Sequence, residues 1–429
     1  EGLQGRVQAE KRLYTPDIDC YNENMWGRGM AGQDRNDTAH GFTADLQREK
    51  RIRRMSKTVD YFLQYVKIDT RSEDDTGTSP STQKQHELAK LLTAQLEAMG
   101  AAEITYDREH CYVYASVPAS QGCENAPVLG LIAHMDTAPV VSGRDVKPRI
   151  VENYDGNDIV LNEKEHIIFR AADYPELGSY RGQDLIVTDG TTLLGGDDKA
   201  GVAEIMAACE YLLQHPEVKH GKIRIGFTPD EEIGQGTAHF DVKLFGADFA
   251  YTVDGDRFGH IEDGTFNAAG AKLTVHGVSA HPGSAKGAMV NAMLIAFEFQ
   301  SMLPVFQNPM YTEGEEGFFH LEHIEGDVEK TVAEYIIRDH DRALFEQKKQ
   351  LFQQCADFLN RKYGEGTVEA EVQDSYYNMK EVLEPHRHLI ENAAEMIRRM
   401  GTEPEICSVR GGTDGARLSY MGLPCPNLC

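Results

Sequence analysis

Apolar and polar positions divide the chain into regions of different rhythm. Residues 1–54 develop neither helical spacing nor alternation. They are rich in Gly, Asn, Asp and Arg, hold the single tryptophan, Trp26, and close on the basic run Arg48-Glu-Lys-Arg-Ile-Arg-Arg54. That composition predicts a poorly ordered extension, with Met55 as a natural start; a binding tail is the other reading of its basic end. From Met55 the pattern turns globular. Val59, Phe62, Leu63 and Val66 form one helix face, and Leu88, Leu91, Leu92, Leu96 and Met99 form another. Thr82 and Gln85 have capping-box spacing before the second helix, and Gly100 stands at its end. Short strands are predicted at Glu103–Tyr106 and Tyr112–Val117.

Four apolar runs then end in acids or histidine. Val128-Leu-Gly-Leu-Ile-Ala-His-Met-Asp136 is apolar on both faces until its last residues, as a helix-covered central strand is. Strand alternation puts His134 and Asp136 on the same face. Lys222–Thr228 alternates Ile223, Ile225 and Phe227 and runs into Pro229-Asp-Glu-Glu-Ile-Gly-Gln-Gly236, and Phe249-Ala-Tyr-Thr-Val-Asp254 ends in another acid. Between them, Thr191-Thr-Leu-Leu-Gly-Gly-Asp-Asp-Lys-Ala-Gly201 leads into a helix whose buried face is Val202, Ile205, Met206, Cys209 and Leu213. Each acid alone reads as a helix N-cap or a solvated loop. Four clusters at strand ends, where α/β proteins place their ligands, outweigh that reading.

Between 268 and 377 the rhythm changes. Strands at Ala271–His276, Phe318–Ile324, Thr331–Ile337 and Thr367–Gln373 alternate with helices at Lys286–Leu303 and Ala343–Tyr363 in the order βαββαβ, a ferredoxin-like unit. The first pattern resumes near Glu381, with a helix through Leu389, Ile390, Ala393, Ile397 and Met400, a strand at Glu405–Val409, and Arg410-Gly-Gly-Thr-Asp-Gly415. The fold class is therefore α/β. A helix-flanked mixed sheet (55–267 and 378–429) carries an inserted ferredoxin-like domain (268–377), after the extension at 1–54.

Composition narrows the function. At 429 residues the chain can build more than one core, and its formal charge of −26 argues against a nucleic-acid partner. Eight cysteines occur without a CxxC, some of them, such as Cys209 and Cys355, inside apolar runs, so core packing is expected rather than a disulfide framework. No apolar run reaches membrane-span length and no signal-peptide core is present, so no membrane partner and a cytoplasmic location are expected.

One histidine and at least three carboxylates at strand ends suit Zn²⁺ or a similar divalent ion. Two such ions about 3.5–4 Å apart need a bridging carboxylate, for which the turn at Asp197 is the natural place. That chemistry is hydrolysis of an amide or ester. A phosphate-binding loop at 195–201 fits poorly, because the P-loop spacing is missing.

At these residues the chain resembles the co-catalytic di-zinc exopeptidases and deacylases that include aminoacylase, and within them the aminotripeptidase family, peptidase T. The resemblance spans about Met55 to Cys429. It rests on His134-Met-Asp136, Leu194-Gly-Gly-Asp-Asp-Lys-Ala-Gly201, Thr228-Pro-Asp-Glu-Glu-Ile-Gly234, Thr252-Val-Asp-Gly255, Ala280-His-Pro-Gly283, Tyr335-Ile-Ile-Arg-Asp339 and Arg410-Gly-Gly-Thr-Asp-Gly415. It implies a sheet of the zinc-exopeptidase type, an insert serving as lid and dimerisation domain, a homodimer, two Zn²⁺ per subunit, and small peptides, tripeptides above all, as substrates.

Residue by residue, the resemblance implies Asp197 as the bridging ligand, followed by a cis peptide. His134 and Asp254 complete one zinc and Glu232 binds the other. Glu231 is the general base, and Asp136 orients His134. His281 and Arg338 meet the substrate carbonyl and carboxylate, with Arg410 assisting. From sequence alone His281, before Pro282, is also readable as a turn residue, and the two arginines as ordinary ion pairs. In the family the segment after Pro-Asn-Leu continues to a histidine that completes the second zinc; here the sequence stops at Cys429. The expectation is a second site lacking that histidine and a catalytically impaired fragment. The competing functions are a related dipeptidase, carboxypeptidase or N-acyl deacylase, and a non-catalytic remnant that binds metal or peptide weakly.

Overall fold

The computed structural model describes residues 57–429, so the extension predicted over 1–54 lies outside the described residues. The chain forms two compact units. One ends at Ile261 and resumes at Arg387–Glu405 and Met421–Cys429; the other is Glu262–His386 with Ile406–Tyr420.

In chain order the first unit opens with α1 (residues 57–65), α2 (Gln85–Met99), β1 (Ala102–Tyr106), β2 (Val113–Val117) and β3 (Leu129–His134). Next come β4 (Arg149–Val151), β5 (Ile159–Asn162), β6 (Ile167–Phe169), β7 (Leu185–Val187), α3 (Gly196–Gln214), β8 (Ile223–Thr228), α4 (Val242–Phe245) and β9 (Phe249–Val253). The chain changes unit within β10 (His260–Gly264). There follow β11 (Asn267–His276), α5 (Ala292–Met302), β12 (Phe318–Gly326), β13 (Lys330–Asp339), α6 (Arg342–Tyr363), β14 (Val368–Tyr376) and α7 (Lys380–Leu383). Last are α8 (Arg387–Arg399), β15 (Glu405–Ser408), α9 (Asp414–Tyr420) and β16 (Asn427–Leu428).

In the first unit β1, β2, β8, β3, β9 and β16 are neighbours in that order. β2 is antiparallel to β1 and β8, whereas β3 is parallel to both β8 and β9, and β16 is parallel to β9. The sheet is thus mixed, and its three central strands point their carboxyl ends the same way. On one face Phe62, Tyr65, Leu88, Leu92, Leu96, Val202, Ile205 and Met206 from α1–α3 bury Ile225 and Phe227; on the other, Leu389, Ile390 and Ile397 of α8 pack on Tyr251, Leu129 and Phe249. Burial from both sides is why the β3 run is apolar throughout. Each leucine-sized side chain so buried contributes roughly 1.5–3 kcal/mol.

Two details depart from the sequence reading. No element was expected between 137 and 190, yet β4 pairs with β7 and β5 with β6 around a small core of Tyr154, Ile159, Phe169 and Leu177. Strands of three or four residues are too short to show alternation. The second is α2, which starts at Gln85 with no side-chain cap at Lys84. Thr82 donates its hydroxyl to the Arg71 carbonyl, and the Gln85 side chain turns to Ser81, Thr82 and Asp230 instead of closing a capping box.

In the second unit the sheet order is β12-β13-β11-β14, antiparallel throughout, the ferredoxin-like arrangement. Ile295 and Phe299 of α5 and Phe345 and Phe352 of α6 pack on Leu273, Val275, Ala333 and Ile337. Helix α5 begins later than the expected Lys286. Asn291 caps it by accepting the Leu294 N–H at 3.2 Å, and Gly287 at φ +74° breaks the helical path before it. Residues 406–420, which the sequence pattern groups with the sheet domain, belong to this unit. Cys209 and Cys355 are buried free thiols. Among the described residues no helix is long and apolar enough to cross a membrane.

Candidate metal centre

His134 ends β3, buried to 2% exposure. Its Nδ1 lies 3.1 Å from the Asp136 carbonyl oxygen and 3.3 Å from Asp136 Oδ1. Its Nε2 lies 3.0 Å from Asp197 Oδ1, 3.7 Å from Asp254 Oδ1 and 3.9 Å from Glu231 Oε2. Alternation along β3 brings Asp136 back to the same side, where it is fully buried. Its carboxylate accepts the Glu231 N–H at 2.9 Å and the Glu232 N–H at 3.2 Å. One side chain thereby orients the imidazole and the acidic turn after β8 together.

The turn before α3 supplies the next pair. Gly195, at φ +80°, turns the chain in a conformation few other residues adopt. Asp197 and Asp198 are joined by a cis peptide and are not helical, so regular helix starts beyond them. Asp198, with no role in the sequence reading beyond helix capping, is buried. Its carboxylate accepts the His134 N–H at 3.2 Å and the Gly201 N–H at 3.1 Å. It ties α3 to β3, a partnership across 64 positions that no local pattern shows. The adjacency of the two acids was its sole trace in the sequence.

One ligand atom each from His134, Asp197 and Glu232 lies within 4.8 Å of the others, and the same holds for His134, Asp198 and Asp254. Burial alone pulls the His134 imidazole down, but the charge of Asp254 and bonds to Asp136, Asp197 and Asp254 outweigh it and hold the ring well above its ordinary value. Burial and then the charge of Asp197 push the Asp254 carboxyl well above the carboxylate range; burial and the charge of Asp254 do the same to Asp198. The chemistry is that of a cluster short of positive charge. Without a metal, a second proton on Nε2 is the one positive charge the ring can offer the carboxylates; with that proton gone and Nδ1 still protonated toward Asp136, the Nε2 lone pair would face carboxylate oxygens, an acceptor among acceptors. A divalent ion among them removes that conflict, so the donor set fits a metal.

The other three expected residues lie in the second unit. His281 is exposed and its Nδ1 accepts the Gly283 N–H at 3.2 Å, closing a tight turn. Arg338 lies over the rings of Phe266 and Tyr376, at 6.0 and 5.7 Å, and its buried Nε has no hydrogen-bond acceptor among the described residues. Arg410 is committed to a neighbouring loop. It donates to the carbonyls of Gly314 and Glu316 and to the Thr312 hydroxyl, at 2.7, 3.0 and 2.9 Å.

Comparison with known proteins adds to this geometry. Residues 263–367 match the M20 peptidase dimerisation domain. A peptidase T of Alkaliphilus oremlandii is 55% identical over 375 residues, covering 87% of this chain and 91% of its own length. Among solved structures, the aminopeptidase PepT of Bacillus cereus superposes with a TM-score of 0.68 at 22% identity, over 87% of this chain and 90% of that one. A dinuclear metal-binding peptidase of the M20 family from Bacillus subtilis superposes at 0.55 and 14% identity, over 87% and 88%. The two structures carry the fold; the sequence relative carries the family.

Proposed function

Because the chain belongs to the peptidase T family, and is a peptidase, we propose that it is a zinc-dependent aminopeptidase releasing the N-terminal residue of tripeptides. The observation that carries this reading is the convergence of His134, Asp197, Glu232 and Asp254 around one buried imidazole nitrogen. His134, Asp197 and Asp254 would hold one ion, and Asp197 and Glu232 the other. When bound, the ions polarise the scissile carbonyl and lower the pKa of the attacking water.

The chain's own groups do the rest. Glu231 accepts the proton of the attacking water as the C–O bond forms, and returns it to the departing amine as the C–N bond breaks. Asp136 keeps the His134 ring in one orientation and tautomer. Asp198 fixes the start of α3, so that Asp197 stays at the His134 edge. Arg338, whose Nε lacks a protein acceptor among the described residues, is the group for the substrate carboxylate, and His281 for the carbonyl. Arg410 supports them by holding residues 312–316.

The dimerisation-domain match supports self-association through the second unit. A panel of tripeptides, dipeptides and N-acyl amino acids, run on the zinc-loaded protein, tests the substrate. Fastest turnover of tripeptides is expected; preference for a dipeptide or an N-acyl amino acid would move the chain to the neighbouring activity.

A further inference from the structure

The turn bearing Glu231 and Glu232 is anchored from a side that the reaction does not use. Asp230, which opens the turn, is buried and left-handed (φ +54°, ψ +26°), a conformation non-glycine residues keep only where neighbours impose it. Its Oδ2 accepts the Ser81 N–H at 2.7 Å. Its Oδ1 accepts the Ser81 hydroxyl at 2.5 Å and Gln85 Nε2 at 2.6 Å. The Asp230 N–H in turn donates to Gln85 Oε1 at 3.2 Å. Gln85 therefore holds Asp230 at two points, side chain and backbone, from the first turn of α2. The N–H groups of the next two residues are taken by Asp136. Three consecutive residues are thus held, from two elements of the same unit.

We propose that Gln85, together with Ser81 and Asp230, is a positioning residue for peptide hydrolysis, its two-point contact fixing the turn that aims Glu231 and Glu232. The inference rests on the roles given to those two glutamates above. An amide suits the task. A lysine or arginine would also satisfy Asp230, but would set a positive charge beside a run of three acids and oppose the basicity Glu231 needs. The amide supplies one donor and one acceptor and leaves the local charge unchanged. None of the three residues needs to touch substrate. Their effect is geometric, and displacement of a reacting group by about 1 Å costs on the order of 10²-fold in rate.

The test is steady-state hydrolysis of a tripeptide by the zinc-loaded full chain, with Gln85→Glu, Asp230→Asn, the two combined, Ser81→Ala and Glu231→Gln. Gln85→Glu replaces the donor facing Asp230 with a like charge, and kcat should fall at least about tenfold while KM stays within about twofold. Asp230→Asn sets amide against amide and should act in the same direction. The combination reverses donor and acceptor, and should return kcat to within about threefold of the parent. Should Gln85→Glu fail to fold, Ser81→Ala decides, with a several-fold fall in kcat expected. Parent kcat in Gln85→Glu, or in Ser81→Ala where that one decides, overturns the proposal, even when the unfolding midpoint drops. So does a combined variant no faster than the slower single one. Full turnover in Glu231→Gln would instead overturn the functional reading itself. Loss in Glu231→Gln with none in Gln85→Glu overturns the positioning role alone.

Discussion

His134 concentrates the electrostatics of the site: a buried imidazole held well above its ordinary pKa by the carboxylates at its edges. Glu231, largely buried with its Oε2 3.9 Å from the ring, is the acid proposed to move the proton. Replacing it with Gln should lower kcat by about 10²–10⁴-fold while zinc content, measured by mass spectrometry, stays at the parent value. A second residue gives a pH signature. Lys199 is buried, donates to the Ile68 carbonyl at 2.7 Å, and is pushed down to about 7 by burial. A depressed pKa contributes stability that is complete above the unfolded value, about 10.4, and is lost as pH falls toward 7. Against Lys199→Met, the metal-free parent should therefore gain about 2 kcal/mol of unfolding free energy between pH 7 and 9, read from denaturant titrations. His134 and Asp136 were legible because strand alternation forces them onto one face. Asp198 and Gln85 were not. Each acts on a partner tens of residues away, and Gln85 even carries a local spacing that suggests a different bond.

Among the elements, the long ones were readable and the short ones were not. The β3 run, the α8 face and the βαββαβ order announce themselves by period, whereas β4 to β7 have too few residues to show one. The contact between α3 and β9 has a sharper sequence mark in Gly201. A Cβ there would meet the Val253 carbonyl oxygen and crowd the Asp198 carboxylate. Gly201→Ala should cost about 1–3 kcal/mol in thermal or chemical unfolding. It should also weaken zinc binding, because α3 and β9 carry Asp197 and Asp254. In the second unit, Asp341 caps α6 by accepting the Leu344 N–H at 2.8 Å. Asp341→Ala should cost about 1 kcal/mol and leave zinc binding unaltered.

For the whole molecule, the two units divide the work: one gathers the candidate ligands, and the other carries the dimerisation-domain match and the residues proposed for the substrate's ends. On α5 of the second unit, Leu294 and Phe297 are 64% and 58% exposed, an apolar face that self-association would cover. The pair Leu294→Glu and Phe297→Glu should shift the protein from dimer to monomer in sedimentation velocity; an unchanged dimer would move the contact elsewhere. The central claim is that the cluster around His134 works as a metal site for peptide hydrolysis. Its most direct test is to strip the protein with a chelator and follow tripeptide hydrolysis as Zn²⁺ is returned. Turnover should be absent without metal and should rise only as Zn²⁺ binds. Full turnover by the metal-free protein, or two ions bound with no tripeptide cleaved, would contradict it.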